Sequence, residues 1–415
     1  MNQLGFPILS LITYLPLLGA FIIATLSGDD AKIACRARAI ALGFSLLVLV
    51  LGIYVWTQFN TGIAGYQFVE AMPWLSGINV EYRMGVDGIS LFLILLTLVL
   101  TPIAILSSNG IKTRARSFFA AMLLLETMTI GMFAATDFVL FYIFFEAVLL
   151  PMYLIIGVWG GERRIYAAVK FFVFTLAGSL FMLLAVVWIW RHLGTTNIAV
   201  MTHAAIPAHA QMWLFLAFLA AFGVKAAVWP LHTWLPDAYG EAPVPGTIML
   251  AAVLSKMGAY GFLRFALPML PNAAYAAEPL MFTLGVVAVI YISYVALAQT
   301  DMKRMIAYSS VAHMGVIIIG LFTFTVEGIE GALFQMLSHG LVIAGLFICA
   351  GILTARGQSL TLKNLGGLAS NMPVFAAALM FFTLANMGLP GTSGFIGEIL
   401  VIVLSLIHIS EPTRP

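Results

Sequence analysis

The sequence predicts an all-α, polytopic membrane protein of about twelve spanning helices, two of them interrupted. Three observations carry that reading. Hydrophobic residues make up 62% of the 415, charged residues only 9%, and mean hydropathy is +1.06. A soluble chain of this size carries about 25% charged residues. Apolar segments of about 18 to 25 residues recur along the whole length, as bilayer-spanning helices require. Finally, two of those segments contain clusters of proline and glycine that an unbroken helix does not tolerate.

In order, spans are predicted near 5–26, 39–57, 88–106, 117–135, 137–158, 167–190, 211–229, 246–267, 280–299, 304–324, 329–354 and, broken, 373–407. The first has no basic residue before it and no cleavage-site pattern, so it reads as a span and not as a removed signal. The polar stretches 58–87 and 191–210 show no periodic pattern and read as extracytoplasmic loops. Short connections elsewhere leave no room for a soluble domain. Basic residues set the orientation. Lys32, Arg36, Arg38, Lys112, Arg114, Arg116, Arg163, Arg164, Lys303, Arg304, Arg356 and Lys363 follow odd-numbered spans, whereas only Arg83, Arg191 and Arg264 follow even-numbered ones. The positive-inside rule then puts the odd loops in the cytoplasm and the N-terminus outside. Cys35 and Cys349 fit no zinc or iron–sulfur spacing and read as small apolar residues. No Gly-rich nucleotide loop is present, and the net charge of +2 points to no nucleic-acid partner.

The interruptions are informative. In FGVKAAVWPLHTWLPDAYGEAPVPG, four prolines open the seventh span, with the helix expected to end near Trp229. In NMGLPGTSGFIGEIL, Asn386, Gly388, Pro390, Gly391 and Gly394 break the twelfth. Unwound backbone at membrane depth requires protein or a wet cavity around it, and paired broken helices are a pointer to an ion path. The alternative is that each break simply ends a loop.

Ionisable residues lie at the same depth. Glu146 follows Asp137 by nine residues, about 14 Å at 1.5 Å each, or half of a hydrocarbon core. Glu126, Lys256, His313 and His339 are also mid-span. Lys225 precedes the first break and Glu398 follows the second. A charge at that depth costs at least about 2.5 kcal/mol and is usually paired, hydrated or functional. Burial favours the neutral form of a carboxyl or amine, and a nearby opposite charge favours the ionised one. A Glu146–Lys225 pair whose members approach and separate is therefore a proton switch, and histidines pass protons onward near neutral pH. Each residue also has a structural reading. Glu146–Lys225 reads as a static tie, either histidine as a hydrogen-bonded core residue, and Glu126 as a protonated packing residue. Lys170 reads as a snorkelling side chain near the cytoplasmic end. His232, Asp237 and Glu241 sit by the first break, where the acidic pair shapes the opening; His203 and His209 are loop residues. Seven groups on seven spans make the structural reading of the whole set weaker than that of any member.

Taken together, FYIFFEAVLLPMYLIIGVWGGERR, AAVKFFVFTLAGSL, HTWLPDAYGEAPVPGTIMLAAVLSKMGAYGFLRF, DMKRMIAYSSVAHMG and MGLPGTSGFIGE resemble the antiporter-like membrane subunits of respiratory complex I, over about residues 1–405. Glu398 after SGFIG is similar to the M-type pattern; related L-type and Na⁺/H⁺ antiporter members typically carry lysine there. The resemblance implies two inverted five-helix repeats, one over about 117–267 and one from about 280, with a non-family tail at 406–415. It implies a proton relay in which Glu146 is the span-5 glutamate, Lys225 the broken-helix lysine, Lys256 the central lysine, His313 and His339 the relay histidines and Glu398 the exit-side carboxylate. Glu126, His232, Asp237 and Lys170 are secondary candidates.

The same resemblance implies no cofactor or metal in this chain, with NADH, FMN, iron–sulfur clusters and quinone held elsewhere in the complex. Its implied partners are L-type and N-type membrane neighbours and the lipid bilayer, in a bacterial inner membrane. The sequence itself offers no quinone pocket. A multisubunit cation/proton antiporter, a membrane-bound hydrogenase subunit and a plain scaffold are the alternatives. The closing segment VIVLSLIHISEPTRP departs from the family pattern, and the chain is expected to lack its last helices, with SEPTRP poorly packed.

Overall fold

The computed structural model describes residues 5–28 and 30–410; the expectation for the closing SEPTRP segment falls almost wholly outside them. The chain divides into two compact units, Met1–Ala205 and Ile206–Pro415, and among the described residues eleven helical segments are long and apolar enough to cross a membrane.

The N-terminal unit contains α1 (Ile8–Thr25), α2 (Asp30–Gln58), β1 (Gln67–Leu75), β2 (Val80–Val86), α3 (Gly88–Leu106), α4 (Ala115–Ala134), α5 (Phe138–Ala147), α6 (Leu149–Trp159), α7 (Arg164–Leu193) and α8 (Ile198–Met201). Helix α4 is the hub, packed by α1, α2, α3, α5 and α6. Its Gly131 lies under the Phe144 ring of α5, where a Cβ would come within 2.5 Å of that ring. Helices α5 and α6 form one span, split at Val148. Pro151 explains the split, because it has no amide for the Ala147 carbonyl and its ring crowds that carbonyl.

Helix starts follow their caps. Asp87 and Ser90 form a capping box at α3, and Asp137 accepts from Val139 N and Leu140 N at α5. Asp137 also accepts from Thr196 Oγ1 at 2.5 Å. Burial pushes its carboxyl above the usual range, while these hydrogen bonds pull against that rise.

The stretch 58–87 corrects the sequence reading. It holds an antiparallel hairpin, with Gln67 opposite Val86 and bulges on the way. Those irregularities disrupt the alternation that would have marked the strands. The hairpin has a further task. Glu70 accepts from Leu9 N at 2.7 Å, Ser10 N at 3.0 Å and Ser10 Oγ at 2.5 Å. A strand carboxylate thus satisfies the first-turn amides of α1, whose own N-cap residue, Pro7, makes no side-chain cap.

The C-terminal unit contains α9 (Ala208–Lys225), α10 (Trp234–Glu241) and a composite span. That span is α11 (Val244–Met249), a π turn (Leu250–Leu254), α12 (Ser255–Gly261), a second π turn (Phe262–Ala266) and α13 (Leu267–Met269). Then come α14 (Pro271–Leu297), α15 (Met302–Leu321), α16 (Val326–Ala355), α17 (Leu368–Asn371), α18 (Pro373–Asn386) and α19 (Ser393–Ser410). Helix α15 packs on α14, α16 and α19, and α16 packs on α18 and α19.

Both breaks are present. The first opens at Lys225, earlier than the expected Trp229. Pro230 has no amide for the Ala226 carbonyl, so the helix cannot continue past that residue. Ala227 then turns left-handed, and the Trp234 indole donates to the carbonyl of Val224. The second break runs from Asn386 to Ser393, with Gly388 and Gly391 at positive φ, where a side chain would be strained.

Candidate functional site

The composite span builds the site's centre. In its first π turn the Ser255 amide reaches back to Leu250 O, so it does not use Ala251 O. That carbonyl accepts from Ser255 Oγ at 2.8 Å and from Lys256 Nζ at 2.8 Å. Lys256 is fully buried, and its ammonium has two further partners, Ser255 Oγ at 3.2 Å and His339 Nδ1 at 2.7 Å. The amine nitrogen thus has three polar atoms within hydrogen-bond reach, which is how a protein makes a buried amine tolerable.

The series continues across helices. His339 on α16 faces His313 on α15, with ring centroids 5.3 Å apart at 50°. No direct hydrogen bond joins the two rings among the described residues, and a gap of this size is one that ring rotation or a single bridging water can close. His339 Nε2 is buried and has no hydrogen-bond partner among the described residues. His313 Nδ1 in turn lies 2.9 Å from Glu398 Oε1 on α19. Four of the six relay residues expected from the sequence thus form one series, Lys256–His339–His313–Glu398, across three neighbouring helices and the broken one, with Lys256 and His339 buried and His313 and Glu398 partly buried.

Lys225 also belongs to this unit and is 2% exposed. It is the last residue of α9, whose end lies against α12. A Cβ on Gly258 would stand 2.4 Å from Ala226 N and from Phe222 O. The backbones of the two lysine-bearing segments are therefore in direct contact beside both lysines.

Glu146 belongs to the N-terminal unit, half-buried on α5 at the split beside Val148. Glu126, on α4, is fully buried, and neither carboxyl oxygen has a hydrogen-bond partner among the described residues. Antiparallel pairing of α4 with α5 puts Gly131 level with Phe144, so Glu126 lies level with Leu149, about 4.5 Å in depth from Glu146. The Lys170 ammonium sits 5.6 Å from the Tyr166 ring centroid, a cation–π contact near the start of α7. His232 is buried in the first break. Asp237 Oδ1 lies 3.8 Å from Arg304 Nη2, and Lys303 Nζ donates to Gly240 O and Ala242 O. Asp237 and two basic residues of α15 thus make polar contacts at the rim of the break.

Sequence reasoning missed Gln335 and Ser255. Gln335 Nε2 donates to Glu398 Oε1 at 3.0 Å. Its only sequence signal is position, one helical turn before His339 and so on the same face. Ser255, adjacent to Lys256, gave none, because its role depends on the π turn.

Residues 135–409 match the family described as NADH:quinone oxidoreductase/Mrp antiporter, transmembrane. Residues 39–132 match NADH-ubiquinone oxidoreductase chain 4, amino terminus. NADH-quinone oxidoreductase subunit M of Rhodobacter capsulatus is 47% identical over 410 residues, covering 95% of this chain and 80% of that protein. NADH-ubiquinone oxidoreductase chain 4 of Marchantia polymorpha is 45% identical over 397 residues, again 95% and 80%. A chain of respiratory complex I from Thermus thermophilus with bound NADH superposes with a TM-score of 0.88 at 32% identity, covering 97% of this chain and 83% of that one.

Proposed function

This chain belongs to the NADH:quinone oxidoreductase/Mrp antiporter family, and from that premise we propose that it is a proton-translocating membrane subunit of an NADH:quinone oxidoreductase. The observation that carries the reading is the series from buried Lys256 and His339 through partly buried His313 to Glu398. Such a series has a chemical use: every member holds a proton or releases one, and each neighbour is within reach of direct or single-step transfer.

Glu146 is the switching carboxylate in this scheme, Lys225 the proton holder at the first break, Lys256 the central store, the two histidines the carriers and Glu398 the terminal acceptor. The subunit does no redox chemistry. NADH, FMN, iron–sulfur clusters and quinone act elsewhere in the complex, and electrostatics and helix motion deliver the energy. Moving one charge against 100 mV takes about 2.3 kcal/mol. A change of about two pKa units at one site is worth about 2.7 kcal/mol, which covers it. L-type and N-type subunits are its neighbours in a bacterial inner membrane, with the N-terminus outside as the arrangement of basic loops indicates. The two inverted repeats remain part of the proposal.

Glu146→Gln in the complete complex tests the scheme. The expected result is an assembled complex that oxidises NADH but builds little proton gradient in inside-out vesicles. Near-normal pumping overturns the switch. A gradient that forms from an imposed Na⁺ or K⁺ gradient without NADH would favour an antiporter that needs no redox input.

A further inference from the structure

We propose that Gln335 is a positioning residue for the Glu398 end of the relay, its amide holding that carboxyl in both protonation states. The proposal rests on the relay reading above. Gln335 is 1% exposed on α16, where it meets α19 at Gly397. Its Nε2 donates to Glu398 Oε1 at 3.0 Å, the same oxygen that lies 2.9 Å from His313 Nδ1. The other end of the amide, Oε1, is buried and has no hydrogen-bond partner among the described residues. On the far side of the carboxyl, Oε2 lies against Gly388, where a Cβ would come within 2.4 Å of it. The glycine turn and the amide thus grip Glu398 from two directions, and His313 takes the third.

The unused acceptor is the informative feature. An ionised carboxylate only accepts, so it takes the amide N–H₂ as found. Proton transfer from His313 breaks the Nδ1–H bond and forms an O–H bond on Glu398 Oε1, and the imidazolium and carboxylate charges vanish together. The new O–H first points back at His313 Nδ1, whose freed lone pair accepts it, and to leave that contact it needs a second acceptor. A half-turn of the Gln335 amide presents one, its own Oε1, and withdraws the donor. The two ends of an amide are nearly equal in size, and its terminal torsion is broad and roughly two-fold, so the turn needs little space. The amide never carries the proton. It keeps Glu398 in place while the contact with His313 weakens, which separates acceptance of a proton from its return.

The test uses the complete complex in inside-out vesicles, with pumping expressed per NADH oxidised. Gln335→Met keeps the length of the side chain and removes both functions of the amide. Pumping should fall about tenfold, the factor expected when a hydrogen bond to a charged group is lost at one step. In reaction-induced infrared difference spectra, the protonated-carboxyl band that Glu398→Gln removes should move in Gln335→Met. Normal pumping with an unmoved band overturns the proposal. Should Gln335→Met fail to assemble, Gln335→Asn decides: its amide stops one methylene short, and normal pumping from it also overturns the proposal. Glu398→Gln separates the two levels of inference. If it pumps normally, the relay reading falls and this one with it. If it is inactive while Gln335→Met is normal, only the amide's role falls.

Discussion

Gly258→Ala measures how closely the two lysine-bearing segments are fitted. A Cβ at that position stands 2.4 Å from Ala226 N and from Phe222 O, where ordinary contact begins at 3.4 Å. Both obstacles are backbone atoms, so no rotamer change relieves them, and one segment must yield by the difference of 1.0 Å. Lys256 lies two residues away, and its 2.7 Å contact with His339 would stretch toward 3.7 Å if α12 takes the whole shift. That exceeds hydrogen-bond length. Overpacking of this kind costs about 1–3 kcal/mol, which a large assembly tolerates, whereas a displacement of about 1 Å at a transfer site costs on the order of 100-fold in rate. The complex should therefore assemble, as judged by native gel, yet pump poorly when a pH-sensitive dye follows acidification of inside-out vesicles. Gly157→Ala is the control, because a Cβ there meets Ala168 Cβ at an ordinary 3.5 Å. If Gly258→Ala pumps as well as that control, tight apposition of α9 and α12 has no bearing on transfer.

Two further outcomes follow from buried carboxyls with opposite surroundings. Glu126→Met removes a buried carboxyl that has no hydrogen-bond partner among the described residues, so thermal tolerance should rise by the equivalent of about 1–3 kcal/mol with pumping unchanged; lost pumping in an assembled complex would put Glu126 on the proton path. Glu70→Gln keeps the shape but turns one acceptor into a donor facing the α1 amides, and should destabilise the N-terminal unit by about 0.5–2 kcal/mol, read as faster limited proteolysis near α1; an unchanged cleavage rate would mean that the cap contributes nothing.

Much of the chain was legible because a membrane imposes simple rules. Span lengths follow from bilayer thickness, and both breaks follow from proline and glycine chemistry. The depth of Lys256, His313 and His339 followed from counting residues, and the structure brings these three together. Contacts between helices were not legible. Nothing in QMLSH says that Gln335 reaches Glu398, 63 residues further along. The π turns around Lys256 leave no mark in an apolar run, because they change the acceptor pattern and not the composition. The hairpin was hidden for a different reason: its register shifts erase strict alternation, and Pro73 sits within β1.

The Glu70 cap has a consequence for how the protein is made. The amides at Leu9 and Ser10 wait for a carboxylate about sixty residues later in the chain. At about 5–20 residues per second, synthesis of that interval takes roughly 3 to 12 s. Throughout that time the first-turn amides of α1 have no Glu70 carboxylate to accept from them. The first turn of α1 cannot take up its final contacts until β1 has been made, so its completion waits on the strand and not on the helix itself. A ribosome paused between Gln58 and Gln67 would hold a nascent chain whose first helix is inserted but still frayed at its start.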